Sequence, residues 1–281
     1  MLYVVATPIG NLKDISLRAI EVLRKVPLIA AEDTRVTRKL LNHLGISTRC
    51  VSYHEHNERE KSVQIVDRMT ADNIDAALVT DAGTPGVSDP GAFLVREAAQ
   101  RGVIVIPIPG ANAVAAILSI SGFANQESTF FGFLPRAKKA REEKLRSMAG
   151  KAQTAVLYES PHRVIALMES ITGVFPHAQA VVSCDLTKLH EKTLRGSAED
   201  ILVNLRDNEK TEKGEYCVAL DVSPFVPAPE DSKVDVGLEA RLLDQIVKGA
   251  SMRSAMETII LGGEKKNAVY AASISLKRLL K

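Results

Sequence analysis

The segment best suited to chemistry is Thr80-Asp81-Ala82-Gly83-Thr84-Pro85-Gly86-Val87-Ser88-Asp89-Pro90-Gly91, which sets three glycines, two prolines and two carboxylates directly behind an apolar run. Glycines let a ligand come close to main chain, and prolines fix φ and remove donors, leaving carbonyls and selected N–H groups to read a nucleoside. Asp81 either meets ligand hydroxyls or caps the turn. Ala6-Thr7-Pro8-Ile9-Gly10-Asn11-Leu12 follows the first apolar run, but its single glycine lacks the GxGxxG spacing of a dinucleotide loop. A third segment, Ile106-Pro107-Ile108-Pro109-Gly110-Ala111-Asn112-Ala113, enters a helix of small residues, whose first N–H groups are unpaired. Core packing explains Ala113–Ala116 equally well. Further polar residues cluster in Tyr158–Arg163 and Cys184–Glu191. His54-Glu55-His56 has no third ligand partner and reads as a solvated loop, so no metal is expected. GxSxG, Walker and HExxH motifs are absent. A small-molecule site of neither metal nor hydrolase type is the economical reading.

These loops need strands to hold them. Short runs at Leu2–Ala6, Leu28–Ala31, Ala76–Thr80 and Val103–Pro107 alternate with helical spacing at Ser16–Lys25, Thr34–Leu44, Glu58–Met69 and Phe93–Arg101. That is an α/β pattern with buried parallel strands, Ser16 as an N-cap and a first domain of 1–110. Strands at Thr154–Tyr158, Ala178–Cys184 and Tyr216–Val222, with helices at Glu142–Met148, Arg163–Ile171 and Ala198–Leu205, predict a second α/β domain over 111–223. In open α/β sheets, ligands sit at the carboxyl ends of strands, so a cleft between the domains would gather the polar segments. The stretch 224–236 is rich in proline and acidic residues and reads as a linker. Residues 237–281 read as three short helices, helix-turn-helix-like.

Composition narrows the class. The 281 residues are 46% hydrophobic and 25% charged, enough to bury a large core. No apolar run spans a bilayer and no signal-peptide pattern opens the chain, which predicts a cytoplasmic protein. Cys50, Cys184 and Cys217 are odd in number and far apart, and read as small hydrophobes. A net charge of +2 identifies no partner, but the distribution of charge is uneven. Arg136, Lys138, Lys139, Arg141, Lys144, Arg146 and Lys151 form one basic run, and Arg35, Arg38 and Lys39 a second group. The last 45 residues carry eight Lys/Arg against four Asp/Glu, with Lys265, Lys266, Lys277, Arg278 and Lys281 in or beside the final helix. Such basic faces suit phosphates, and equally a solvated surface or a partner subunit.

Long motifs in the chain resemble those of the ribosomal RNA small-subunit methyltransferase I group of the tetrapyrrole methylase superfamily. They are Tyr3–Ala19 (YVVATPIGNLKDISLRA), Ala31–Leu41 (AEDTRVTRKLL) and Ala77–Gly91 (ALVTDAGTPGVSDPG), followed by IPIPGANA, FFGFLPR, YESPHRV, CDLTKLHEKTLRG and KGEYCVAL. The resemblance implies a bilobal α/β methyltransferase, usually a homodimer, with S-adenosylmethionine folded in the interdomain cleft. By position it assigns Pro8, Asp81, Gly83, Val87, Ser88, Asn112 and Ala113 to the cofactor, and more loosely Tyr158, Leu189 and Gly214. Tetrapyrrole-modifying relatives usually carry GxGxGDxxLxTxRA and GDPxxY, where this chain has TPIGNLKDISLRA and DAGTPGVSDPG. The departure favours the RNA-modifying branch, whose expected product is a 2′-O-methylcytidine in the decoding region of 16S ribosomal RNA. Methylation of a tetrapyrrole or other small molecule, and a non-catalytic ribosome-binding assembly factor, are the rival readings.

A sulfonium methyl is already activated, so alignment is the main requirement, with a base to take the hydroxyl proton. Glu191 or Asp33 is the candidate base, with Lys188 and Arg35 on flanking phosphates, and each reads equally as an ordinary salt-bridge residue. RNA docking is expected of Arg136, Lys138, Lys139 and Arg141, and of Lys265, Lys266, Lys277 and Arg278.

Overall fold

A computed structural model of the chain describes residues 1–123, 126–225 and 237–279. The expected linker lies outside them apart from Pro224 and Phe225, as does Lys281. The chain divides into two compact units, Met1–Val226 and Pro227–Lys281.

The larger unit holds two five-stranded sheets among the described residues. In the first, β1 (Leu2–Val5), β2 (Leu28–Ala31), β3 (Cys50–Ser52), β4 (Ala76–Val79) and β5 (Val105–Ile108) lie in the order β3-β2-β4-β1-β5. All pairings are parallel. The connecting helices are α1 (Leu17–Lys25), α2 (Thr34–His43), α3 (Glu58–Ala71) and α4 (Ala92–Gln100). Every residue of β2 and β4 is buried, as central strands covered on both faces require. Pro107 sits in β5, an edge strand, where its missing N–H breaks no interior ladder. Ser16 caps α1 by accepting the Ala19 N–H at 3.1 Å, as its position predicts.

α5 (Ala113–Ser121) leads from β5 to a mixed sheet of β6 (Ser128–Phe133), β7 (Thr154–Glu159), β8 (Gln179–Cys184), β9 (Lys192–Ser197) and β10 (Tyr216–Asp221). Its order is β6-β7-β10-β8-β9, with β6 and β7 parallel and the remaining pairs antiparallel. One face buries Leu157, Val182 and Val218 under α6 (Lys138–Arg146), α7 (Val164–Val174) and α8 (Ala198–Arg206). The other packs Val156, Val181 and Ala219 against Ile117 of α5 and Ile9 of the first lobe. β3, β6 and β9 were not foreseen. β3 has three residues, β6 carries a register shift between Phe130 and Gly132, and β9 is a polar edge strand of sequence KTLRGS. None presents the alternation that marks a half-buried strand.

In the smaller unit α9 (Leu238–Val247), α10 (Met252–Leu261) and α11 (Lys266–Leu279) share a core of Leu242, Ala255, Ile259, Val269, Ala272 and Leu276. No helix among the described residues is long and apolar enough to cross a membrane.

One expected RNA contact is corrected here. Arg141 is 6% exposed. Its Nε donates to Ser170 Oγ at 2.9 Å and its Nη1 to the Arg136 carbonyl at 3.0 Å, tying α6 to α7. Arg136, Lys138 and Lys139 are exposed on the same segment. Arg141→Ala, which removes the donor to Ser170 Oγ and leaves the Arg136 carbonyl unpartnered, should cost about 1–3 kcal/mol. Lys139→Ala should stay within about 0.5 kcal/mol. Denaturant midpoints of the two variants check this contrast.

Candidate active site

Because β4, β1 and β5 are neighbours, the loops at their carboxyl ends converge, and main-chain bonds lock them together. Thr7 N–H donates to the Gly83 carbonyl at 2.9 Å and Gly83 N–H returns to Thr7 O at 3.0 Å, an antiparallel bridge between loops of a parallel sheet. Thr7 Oγ1 also donates to Thr80 O at 3.0 Å. Gly83 adopts φ +82° and Gly86 +80°, which exclude most side chains, and Ser88 is held at +65° despite its Cβ. Strain of this kind clusters at ligand sites. Asn112 caps α5 by accepting from Val114 N and Ala115 N, and donates to Thr84 Oγ1 at 3.4 Å, so the third loop joins the first two.

The β1 loop also clasps the second lobe. Asn11 N–H donates to Thr187 Oγ1 at 3.1 Å. A Cβ on Gly10 would stand 2.5 Å from Lys188 Cγ and 2.9 Å from Leu186 O, so only glycine allows this approach. Asp185 and Thr187 meet it with φ of +54° and +67°.

A cavity of about 340 Å³ opens between these loops and the second sheet. Gly83, Val87, Ser88, Asp89, Asn112 and Ala113 line it from one side, and Phe133, Tyr158, Glu159, Leu186 and Glu215–Cys217 from the other. Tyr158 stands edge-on to Phe130 and Phe133, with centroids 4.8 and 5.8 Å apart, and burial pushes its phenol up so that it stays neutral. Burial also pushes the Cys217 thiol up to about 12, which makes it inert. Glu159, 1% exposed at its side chain, forms an ion pair with Arg163 at 3.2 Å and accepts Ser160 N–H at 2.8 Å. A mostly apolar cavity of this size with a few fixed polar groups suits a small cofactor.

Residues 1–202 match the family model described as Tetrapyrrole (Corrin/Porphyrin) Methylases. A Synechocystis sp. relative named ribosomal RNA small subunit methyltransferase I is 39% identical, over 99% of this chain and 98% of its own. A relative of the same name from Halalkalibacterium halodurans is 43% identical, over 82% of this chain and 78% of its own. The chain belongs to this family and is a methyltransferase. Among solved structures, diphthine synthase superposes with a TM-score of 0.59 at 18% identity, covering 81% of this chain and 96% of that one. The uroporphyrin-III C-methyltransferase of Thermus thermophilus, in complex with S-adenosylhomocysteine, gives 0.54 at 16% identity, covering 78% and 96%. Both show the tetrapyrrole methylase fold.

Within this methylase frame, Gly83, Val87, Ser88, Asn112, Ala113 and Tyr158 line the cavity, whereas Pro8, Asp81, Leu189 and Gly214 do not. Pro8 is buried in the bridge loop, and Leu189 is 93% exposed. Gly214, at φ +89°, is required where a Cβ would meet Cys184 Sγ and Asp185 Oδ2, both at 2.6 Å. The four expected catalytic residues are engaged elsewhere. Asp33 accepts Arg35 N–H as the cap of α2 and holds the Arg35 guanidinium at 2.6 Å, which lowers its carboxyl to about 2. Glu191 is exposed and accepts Thr187 N–H at 2.7 Å, bracing the turn that grips Gly10. Lys188 pairs with Asp185 at 2.6 Å and Glu215 at 2.9 Å.

Sequence reasoning passed over Asp89. It lines the cavity, accepts no hydrogen bond from a described residue, and is raised to about 7 by burial and by the charges of Glu32 and Asp81. Glu32 Oε2 accepts Asp81 N–H at 3.2 Å and Asp81 Oδ1 accepts Asp33 N–H at 3.0 Å, so these carboxylates hold each other at the ends of β2 and β4. Burial raises both above the ordinary range. Gly10→Ala should part the β1 loop from Leu186–Lys188 and weaken S-adenosylhomocysteine binding about 10-fold or more, as seen by calorimetry. Gly45→Ala, at a left-handed position with open space around it, should leave that affinity unchanged.

Proposed function

We propose that the chain transfers the methyl group of S-adenosylmethionine to the ribose 2′-hydroxyl of a cytidine in the decoding region of 16S ribosomal RNA. The observation that carries this reading is the cavity between Gly83–Asp89 and the Tyr158–Tyr216 wall, in a chain that is close to collinear with relatives named for small-subunit ribosomal RNA methylation. The 2′-O position on cytidine and the homodimer come from the family resemblance, and the cytoplasmic setting from the sequence pattern. The cofactor supplies an activated sulfonium methyl, and the protein supplies alignment and a proton acceptor. The backbone of Gly83–Ser88 and the cap at Asn112–Ala113 hold the nucleoside and amino-acid ends. Pro8 and Asp81 act from behind, through the bridge and the carboxylate clasp. Phe133, 57% exposed at the cavity mouth and braced by Tyr158, offers a face on which an unstacked base can lie.

Asp89 replaces Asp33 and Glu191 as the group that takes the hydroxyl proton. A base held near neutrality is both deprotonated and basic enough to act, whereas one held at about 2 accepts protons poorly. Arg136, Lys138, Lys139, Lys265, Lys266, Lys277 and Arg278, all exposed, serve RNA phosphates.

Transfer of labelled methyl to small subunits lacking modifications should give 2′-O-methylcytidine on nuclease digestion and mass spectrometry. Label absent from RNA, with cofactor bound, refutes the assignment. Because Asp89 is raised, its carboxylate form accumulates as pH climbs through about 7. The single-turnover rate should therefore rise with pH and level off above that value. Asp89→Asn should lower the rate by about 10²–10⁴ and flatten the profile with cofactor affinity intact. Asp33→Asn should leave the shape of the profile unchanged.

A further inference from the structure

A second cavity, of about 430 Å³, also borders the Lys213–Tyr216 segment. Its walls come from β8, β9, the turn at 185–190 and the loop after α8. Lys192, Lys210, Lys213 and the His190 imidazole line it, and Asp185 is the carboxylate among the lining residues. Asp185 is already paired with Lys188 at 2.6 Å, and no ion pair holds Lys192, Lys210 or Lys213 among the described residues. The lining therefore carries a surplus of positive charge without an internal counterion.

The loop that presents two of these lysines is fixed. Thr211, between Lys210 and Lys213, is 2% exposed, donates its hydroxyl to Leu205 O at 2.6 Å and its N–H to Asn208 O at 3.0 Å, and receives the Tyr216 hydroxyl on its carbonyl at 3.0 Å. Lys213 N–H closes onto Lys210 O at 3.1 Å. Across the cavity Lys192 starts β9, whose neighbouring Thr193 hydroxyl bonds Ser183 Oγ of β8 at 2.9 Å. Loop and strand are each braced independently, so the lysines converge without needing a ligand to assemble them.

Position decides which anion suits the site. Tyr216 lines both cavities, and the chain passes from Lys213 in the second to Glu215 in the first through Gly214 alone. An anion held here stands beside the Glu215–Tyr216 wall of the methyl-transfer cavity, a position suited to the phosphodiester backbone next to a nucleotide that enters that cavity. We propose that this second cavity is a phosphodiester subsite, in which Lys192, Lys210 and Lys213 hold the RNA backbone flanking the target nucleotide. The inference rests on the RNA reading above and adds to it a surface that neither the basic run at 136–146 nor the smaller unit supplies.

The test uses Lys192→Gln/Lys210→Gln/Lys213→Gln in the full chain, with Lys192→Gln alone as the variant least able to disturb the fold. Binding to unmodified small subunits is measured from 50 to 200 mM salt, beside S-adenosylhomocysteine affinity. Each single-strand phosphate contact contributes about 0.7 to the slope of log K against log salt, so the triple variant should lose about 2 from that slope. Lys192→Gln should lose about 0.7, with cofactor affinity preserved in both. An unchanged slope and KM in both variants, while the wild-type chain methylates RNA, overturns the subsite and leaves the function standing. A wild-type chain that does not methylate RNA refutes the function itself. If the triple substitution abolishes inhibition by inorganic phosphate yet leaves subunit binding and its salt slope intact, the cavity takes a free anion and the proposal fails.

Discussion

The reciprocal main-chain bridge between Thr7 and Gly83 is the constraint on which the rest of the site depends. A parallel sheet leaves the loops at its carboxyl ends free to diverge. Here two hydrogen bonds join the loops of β1 and β4, and the Thr7 hydroxyl adds a third to Thr80 O. The bridge joins Gly83, in a left-handed conformation, to Thr7, and the chain then turns through positive φ at Gly86 and Ser88, whose loop lines the cavity. It also fixes where Ile9 and Gly10 leave the first lobe. Ile9 enters the core beneath the second sheet, and Gly10 allows the backbone contact with Leu186 that closes the cleft. The cavity and the interlobe seam thus share one short interaction.

Electrostatics then separates the carboxylates by role. Asp33 and Asp89 belong to one acidic group, yet an exposed Arg35 pulls the first down to about 2 while burial and like charges push the second to about 7. Environments that drive neighbouring carboxyls apart in this way mark which one exchanges protons near neutral pH. The strain at Ser88 has a counterpart in Asp185 and Thr187 across the cleft. Both lobes therefore place non-glycine residues in left-handed backbone where they approach the cavity, a cost accepted where geometry must be held.

Much of this was legible in the residues. The loops at 80–91 and 106–113, which line the cavity, stand out as glycine, proline and polar residues directly after buried runs, although a structural turn and core packing read the same residues, and the first sheet followed from the uniformly apolar β2 and β4. What escaped notice has physical reasons. β10 runs antiparallel to β7 and β8, with Tyr216 opposite Glu159 and Cys184. Its beginning, Glu215–Cys217, therefore lies beside the ends of its neighbours, and a search for sites at strand ends alone overlooks it. Asp89 stood in plain view within the loop, but its distinction is an absence of partners amid burial, which spacing does not encode. Asp33, Arg35, Lys188 and Glu191 drew attention by density of charge, and in the fold that density is largely self-satisfied. Arg141 shows the same self-satisfaction in one residue, a guanidinium within a basic run that turns inward to join two helices.

The most direct test of the central claim is a crystal structure of the full chain with S-adenosylhomocysteine. The ligand is predicted to lie between Gly83–Asp89 and the Tyr158–Tyr216 wall, with main-chain groups of the 83–88 and 112–113 segments within hydrogen-bond distance and the Thr7–Gly83 bridge intact. Ligand bound outside this cavity, or bound with that bridge broken, would contradict the account.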